Sequence, residues 1–237
     1  MNAEKLAQAF VDLAETLVDD FDVHDLLHVL ARNCTDLLSV SAAGLLLAHD
    51  GSLRVAVSSS ESARMLDLFQ LQNDEGPCLE AYRTGHPVAA GDMVQMRGRW
   101  PRFATAAGAQ GFVSVVALPM RMRGETIGTL NLFGDQTSAG ITDEDLQVAQ
   151  AMADVGTITI LQDRLARHHE ILAEQLQNAL ESRVVIEQAK GVLSAHFGVG
   201  MDDAFQILRA HARDSRARLA DVATQVVQGE WTGYRSD

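Results

Sequence analysis

From Asp143 to Phe197 the chain contains no proline, and before Lys190 only one glycine, Gly156. Proline inside a helix removes a backbone donor and clashes with the preceding turn, so a long stretch without it is open to helix throughout. The stretch reads as one long helix, interrupted or continuous. A heptad can be laid on it. Ile158, Leu165, Leu172 and Ala179 fall at one core position, and Gln162, His169, Leu176 and Arg183 at the other. One seam is apolar and the other mixed. Polar core members weaken a coiled coil but hold its register, so the pattern predicts pairing of two copies. An amphipathic connector lying against the domain before it is the alternative.

Beyond this stretch, residues 182–227 read as three short helices. Ile186, Ala189, Leu193 and Phe197 recur at helical spacing; Ala204, Ile207 and Leu208 form a second stripe, and Leu219, Val222, Ala223 and Val226 a third. Gly198 sits where the first helix should stop. Asp202 and Asp203 suit the start of the second, where unpaired N–H groups favour acids. The third is expected after Asp214 and Ser215. Arg183, Glu187, Lys190 and Ser194 share one side of the first helix. Arg209, Arg213 and Arg216 share a side of the second, and Arg218 opens the third. So much arginine on a small bundle can neutralise phosphates, although charges on helix exteriors are also ordinary.

Together these residues carry a resemblance. The segment IEQAKGVLSAHFGVGMDDAFQILRAHARDSRARLADVA resembles the ANTAR domain, a three-helix RNA-binding module of bacterial antitermination regulators. Ala189-Lys190-Gly191, Leu193, Ala204-Phe205 and Leu208-Arg209 all fit. Ser194 stands where methionine is common, and Met201 where a Ser or Thr cap is common. The resemblance implies that each module binds an RNA hairpin loop, whose unstacked bases are accessible. Arg183, Lys190, Arg209, Arg213, Arg216 and Arg218 would hold phosphates, and Gln188 or Ser194 would reach base edges. Two modules on one dimer would engage tandem hairpins and prevent a terminator from forming.

Charge is divided along the chain to match. The 237 residues carry a net charge of -13. Residues 1–181 hold 12 Lys and Arg against 25 Asp and Glu, whereas residues 182–237 hold 7 of each. The first part should repel phosphate, and only the tail is neutral enough to approach it. Hydrophobic content of 47% is that of a folded chain, not a disordered one. Two cysteines, Cys34 and Cys78, make no disulfide framework. Glu4, Asp12 and Glu15 interrupt the first apolar stretch, so no signal peptide is expected. The longest uncharged run, Ala104 to Met120, holds Gly108, Gly111 and Pro119 and is no membrane span. A cytoplasmic location is expected.

In chain order, residues 4–17 and 22–38 show helical periodicity; Val23, Leu26, Leu27, Leu30, Cys34 and Leu38 line one side of the second. Strands are expected at Ala42–Ala48 and Leu53–Ser58, joined by a turn through Asp50-Gly51. A helix over about 61–71 and a short helix after Gly76-Pro77 follow. Then come an extended segment at Pro87–Ala90 and a short helix over Trp100–Gln110. Two strands, Phe112–Arg121 and Thr126–Phe133, form a second hairpin around Arg123-Gly124. The order implies an α+β fold, an antiparallel sheet with helices packed on it.

This part resembles the GAF domain, a ligand-sensing and dimerising module of bacterial signalling proteins. The resemblance rests on GFVSVVALPMRMRGETIGTLNLFG and the helix ITDEDLQVAQAMADVGTITI. No match to the Asn-Lys-Phe-Asp-Glu signature is present, so no cyclic nucleotide is inferred and the cofactor stays unknown. The expected division is a sensor over 1–163, a helical linker over 164–181 and the RNA-binding module over 182–237.

Other constellations have plainer readings beside the functional one. His24 and His28 have metal-sharing spacing but no obvious third ligand, and read as a polar helix face. Cys78 lies near a helix start, where free N–H groups can stabilise a thiolate, and its stretch EGPCLEAYRTG is similar to GAF domains joined to ANTAR modules, a resemblance that implies redox or ligand sensing; Glu75 and Glu80 would oppose a thiolate, and a lone cysteine is equally a small packed apolar residue. Tyr82, Met93, Trp100 and Phe103 would line a small-molecule pocket or pack as core. Thr142 with Asp145 reads as a helix cap rather than a catalytic pair. No phosphate-binding loop, nucleophile triad or phosphoacceptor receiver pattern is present, so the chain is not expected to be an enzyme. The rival readings are a sensor whose tail binds a protein or DNA, and a GAF-type sulfoxide reductase.

Overall fold

The computed structural model describes residues 3–15, 22–138, 140–231 and 233. The end of the first expected helix, residues 16 and 17, lies outside the described residues. The chain divides into two compact units, Met1–Arg164 and Leu165–Asp237.

The first unit opens with α1 (Ala3–Glu15) and α2 (Val23–Leu37). The hairpin of β1 (Ala42–His49) and β2 (Ser52–Ser58) follows. Its two turn residues, Asp50 and Gly51, both have positive φ, at 50° and 76°. That is the turn whose twist suits adjacent antiparallel strands, and it is why Asp-Gly is legible as a hairpin. Next come α3 (Glu61–Asn73), α4 (Pro77–Thr84), β3 (Val88–Ala90), α5 (Met93–Arg99) and α6 (Pro101–Ala109). The second hairpin, β4 (Phe112–Met122) and β5 (Glu125–Asp135), turns through Arg123 and Gly124, again with both φ positive.

All five strands form one antiparallel sheet in the order β2-β1-β5-β4-β3. Successive side chains on a strand point to opposite faces, so the sheet has two cores. Ala43, Leu45, Val116, Leu118, Leu130 and Leu132 meet α2 and the first turns of a long helix, α7 (Asp143–Phe197). Ala42, Val115, Ala117 and Phe133 meet α3 to α6 on the other face. Gly156 is tolerated in α7 because the helix comes close to α2 there: a Cβ would lie 3.0 Å from Leu30 Cδ2. Thr142 caps α7 as its sequence suggests, its Oγ1 accepting from the Asp145 N–H at 3.1 Å while Asp145 accepts from the Thr142 N–H at 3.0 Å.

The helix α5 is an addition to the sequence reading. Asp92 accepts from the Gln95 N–H at 2.8 Å and Gln95 accepts from the Gly91 N–H at 3.2 Å, so this turn starts with its own cap. Pro101 then occupies the first turn of α6, where its missing donor costs nothing.

The second unit contains the end of α7, α8 (Met201–Asp214) and α9 (Leu219–Gln228). The first of the three expected short helices is therefore the last part of the continuous α7. Gly198, with φ at 65°, ends it. Ala189, Leu193, Ala204, Leu208, Val222, Ala223 and Val226 close the core, joined by Trp231 beyond α9. The Trp231 ring lies 5.2 Å from that of His211 and 6.4 Å from that of Phe197. No helix among the described residues is long and apolar enough to cross a membrane.

Candidate nucleic-acid interface

On α8, Ala204, Leu208 and Ala212 recur at intervals of four and are buried. At about 100° per residue, Arg209 and Arg213 then fall about 100° and about 140° round from the centre of that stripe, and both are exposed. The helix ends in a turn that keeps more arginine outside. The Ala217 N–H donates to Ala212 O at 3.0 Å and the Arg216 N–H to Arg213 O at 3.2 Å, which closes the last turn. Arg216 takes the left-handed conformation there, with φ at 53°, a place usually given to glycine. Arg218 stands in extended conformation at the start of α9. Among the described residues, none of Arg209, Arg213, Arg216 and Arg218 is ion-paired, and all four are exposed.

The expected contacts on α7 divide. Arg183 is exposed and without an ion pair among the described residues. Lys190 is not free: its Nζ lies 2.9 Å from both carboxylate oxygens of Glu187, its side chain is 15% exposed, and the ammonium sits 5.7 Å from the centre of the Phe205 ring on α8. Ser194 is turned inward, its hydroxyl donating to Val199 O at 2.6 Å to close the end of α7. Gln188 is exposed, but two residues from Lys190 on a helix it points away from it. Among the described residues, the face expected on α7 is thus one cation without an ion pair, one occupied cation and one hydroxyl spent on the backbone.

In the first unit, Cys78 is buried. Its N–H donates to Gln70 Oε1 at 2.9 Å, and burial first, then the charge of Asp67, pushes its thiol well up. Burial thus works against the thiolate that a helix start can favour, and Cys78 packs as a small apolar residue. Glu75 and Glu80 have other work. Glu75 accepts from the Arg102 and Phe103 N–H groups at 2.7 and 3.0 Å, capping α6, and Glu80 accepts from Arg99 and from Trp100 Nε1. Cys34 is core, as its stripe implies. Trp100 and Phe103 are buried in the core, with Met93 half-buried against it and Tyr82 half-buried beside Cys78. Trp100 lines a cleft of about 250 Å³, shared with Glu75, Glu80 and Arg83. His24 and His28 stand on the outside of α2 with Nε2 atoms 3.3 Å apart.

Two family descriptions match the sequence: GAF domain over residues 22–160, and ANTAR domain over residues 174–227. The chain belongs to the GAF domain family and carries a C-terminal ANTAR domain. Comparison with curated proteins finds no match. Solved structures similar to the GAF part include the GAF domain/HD domain protein from Geobacter sulfurreducens, 17% identical with a TM-score of 0.52, over 65% of this chain and 98% of that one. The GAF domain of an Acinetobacter phosphoenolpyruvate-protein phosphotransferase is 14% identical with a TM-score of 0.55, over 69% and 94%. That of the phosphotransferase from Coxiella burnetii is 14% identical with a TM-score of 0.55, over 71% and 99%. At these identities the likeness is one of fold.

The GAF–ANTAR architecture makes the chain a regulator with a sensor part and an RNA-binding part. Two residues with evident roles escaped the sequence reading. Glu187 was placed on the basic side of α7 without its effect on Lys190. Asp67 lies in the GAF interior, fully buried; its signal was an acid between Leu66 and Leu68 on the inward side of α3.

Proposed function

We propose that this GAF–ANTAR protein is a transcription antitermination regulator whose ANTAR parts bind tandem RNA hairpins and keep a terminator from forming. The exposed Arg209, Arg213, Arg216 and Arg218, without an ion pair among the described residues, carry the reading. They supply fixed positive charge to a loop backbone on a domain whose relatives bind RNA. The chain acts as a homodimer. Leu165, Leu172, Leu176 and Leu180 of α7 are 56%, 46%, 64% and 58% exposed, a row that a second copy would cover as a coiled coil. Two heads on one dimer then gain affinity through effective concentration when both hairpins are present. The GAF part supplies the input, a small ligand in preference to thiol chemistry at Cys78. The protein has no catalytic role and works in the cytoplasm.

Gel-shift titration against tandem-hairpin RNA, single-hairpin RNA and duplex DNA tests this. Tandem RNA is expected to bind tightest, with Arg209→Ala/Arg213→Ala lowering the salt slope by about 1.4 if each arginine meets one phosphate. Equal affinity for all three nucleic acids, or no binding to any, would refute the reading and favour a tail that binds DNA or protein.

A further inference from the structure

Asp67 is buried in the GAF part with no ion pair to a cation among the described residues. Its helix, α3, turns Ala63, Leu66, Asp67 and Gln70 towards the sheet. The carboxyl rests on the backbone of β1: a Cβ on Gly44 would come within 2.0 Å of its Oδ2. Asn131 Nδ2, from β5, donates to Oδ1 at 2.8 Å, while Ser58 Oγ, from β2, reaches Oδ2 only at 3.4 Å. Two neutral donors, one of them distant, are poor compensation for an ion removed from water.

The surroundings also have unused capacity. Asn131 Oδ1, Gln70 Nε2 and Thr129 Oγ1 are buried without a hydrogen-bond partner among the described residues. A protonated Asp67 can use some of it. Turned end for end, the Asn131 amide would present its oxygen to the acid O–H, and the protonated carboxyl would need no counter-charge. The groups that Asp67 meets on the sheet, Gly44, Ser58 and Asn131, are uncharged. From α4 comes Cys78, whose thiol is held neutral by burial and by Asp67 itself; Arg83 acts on that thiol in the opposite sense. On its own helix, the nearest charges are the exposed pair Glu61 and Arg64. Burial pushes the Asp67 carboxyl up to about 7, against the two hydrogen bonds, which lower it.

We propose that the GAF part carries a proton-operated switch: Asp67, seated between Gly44 and Asn131, holds α3 and α4 on the sheet when protonated and loosens them when ionised. Asp67 links α3 directly to β1, β2 and β5. Gln70, one turn on from Asp67 along α3, accepts from the Cys78 N–H and so ties α3 to α4. An ion at this position draws water or donors towards it, and the helices covering the sheet are what must move. The input is proton concentration, and the proposal stands apart from the RNA reading.

Hydrogen exchange on the full-length protein tests it, at about pH 6 and about pH 8, with rates corrected for intrinsic chemistry, on wild type and Asp67→Asn. In wild type, protection over residues 61–84 is expected to fall by about tenfold or more between the two conditions, relative to residues 143–160 of the same molecule. Asp67→Asn, which keeps the shape without the charge, is expected to abolish that relative fall. The same fall in both proteins, or none in wild type, overturns the proposal. Should Asp67→Asn fail to fold, infrared difference spectra of wild type replace it. A protonated-acid carbonyl band present at the lower pH and gone at the higher supports the switch, and no such band at the lower pH overturns it.

Discussion

Glu187 and Lys190 stand one turn apart on α7, and the Lys190 ammonium lies 2.9 Å from both Glu187 oxygens. With the centre of the Phe205 ring 5.7 Å from its ammonium, Lys190 ties α7 to α8 and meets a phosphate only by giving up Glu187. Lys190→Ala should therefore keep the fold, at a cost of about 1 kcal/mol for the part-buried ion pair and ring contact. It should weaken RNA binding less than Arg213→Ala does. Glu187→Gln should strengthen binding by freeing the ammonium. Urea denaturation and fluorescence anisotropy at matched salt check these outcomes. Weaker binding by Glu187→Gln would show that Glu187 holds Lys190 in position and is no competitor.

Arg216 separates charge from conformation. Its left-handed backbone costs roughly 1 kcal/mol that glycine would avoid. Arg216→Gly should therefore raise the stability of the bundle by about 0.5–1 kcal/mol while lowering RNA affinity. Thermal melts and binding titrations on the same preparation read both. A variant that is more stable and binds RNA as before would remove Arg216 from the interface.

Leu172 and Leu176 test the stalk. Both are exposed on α7, four residues apart, in the row ascribed to a second copy. Leu172→Glu with Leu176→Glu places like charges across a dimer seam and should shift the protein from dimer to monomer in sedimentation analysis, with helicity of the two units retained. Tandem-hairpin affinity should fall towards that of a single hairpin. An unchanged sedimentation coefficient would place the dimer contact elsewhere.

The pH dependence of stability has a definite sign. Asp67 is raised in the folded state above an unfolded value near 4, so the folded protein holds the proton more tightly. Its contribution is therefore greatest below about pH 4, declines as pH rises towards about 7, and is flat beyond. The loss is on the order of 4 kcal/mol across that window, from a carboxyl that is fully buried. Urea titrations at stepped pH should show the decline in wild type and its absence in Asp67→Asn. Gly44→Ala, which forces the carboxyl from its seat, should destabilise by about 1–3 kcal/mol and flatten the same slope.

Local sequence determined most of the architecture. The apolar runs of β1, β4 and β5, the Asp50-Gly51 and Arg123-Gly124 turns, the Thr142–Asp145 cap and Gly198 each act within a few residues, so they can be read from a string. The stripes of the C-terminal bundle were legible for the same reason. Missing from the string was α5, whose cap is local but lies beside the Gly98 and Trp100 breaks.

Tertiary structure decided the chemistry. A charge on a helix says nothing of what stands opposite it, so the sequence marked Lys190 and Arg213 alike as phosphate ligands. Only packing showed one occupied and the other open. Cys78 at a helix start suggested a thiolate, but the sheet and α3 close over it, and desolvation is a property of the assembled interior. Trp231 joins the bundle core through His211 and Phe197, far from it along the chain. Asp67 gains its character from Gly44 and Asn131, which lie 23 and 64 residues away and become its neighbours only when β1 and β5 pair. Periodicity is a short-range property and survives in the sequence; burial and partnership are long-range ones and arise when the chain closes on itself.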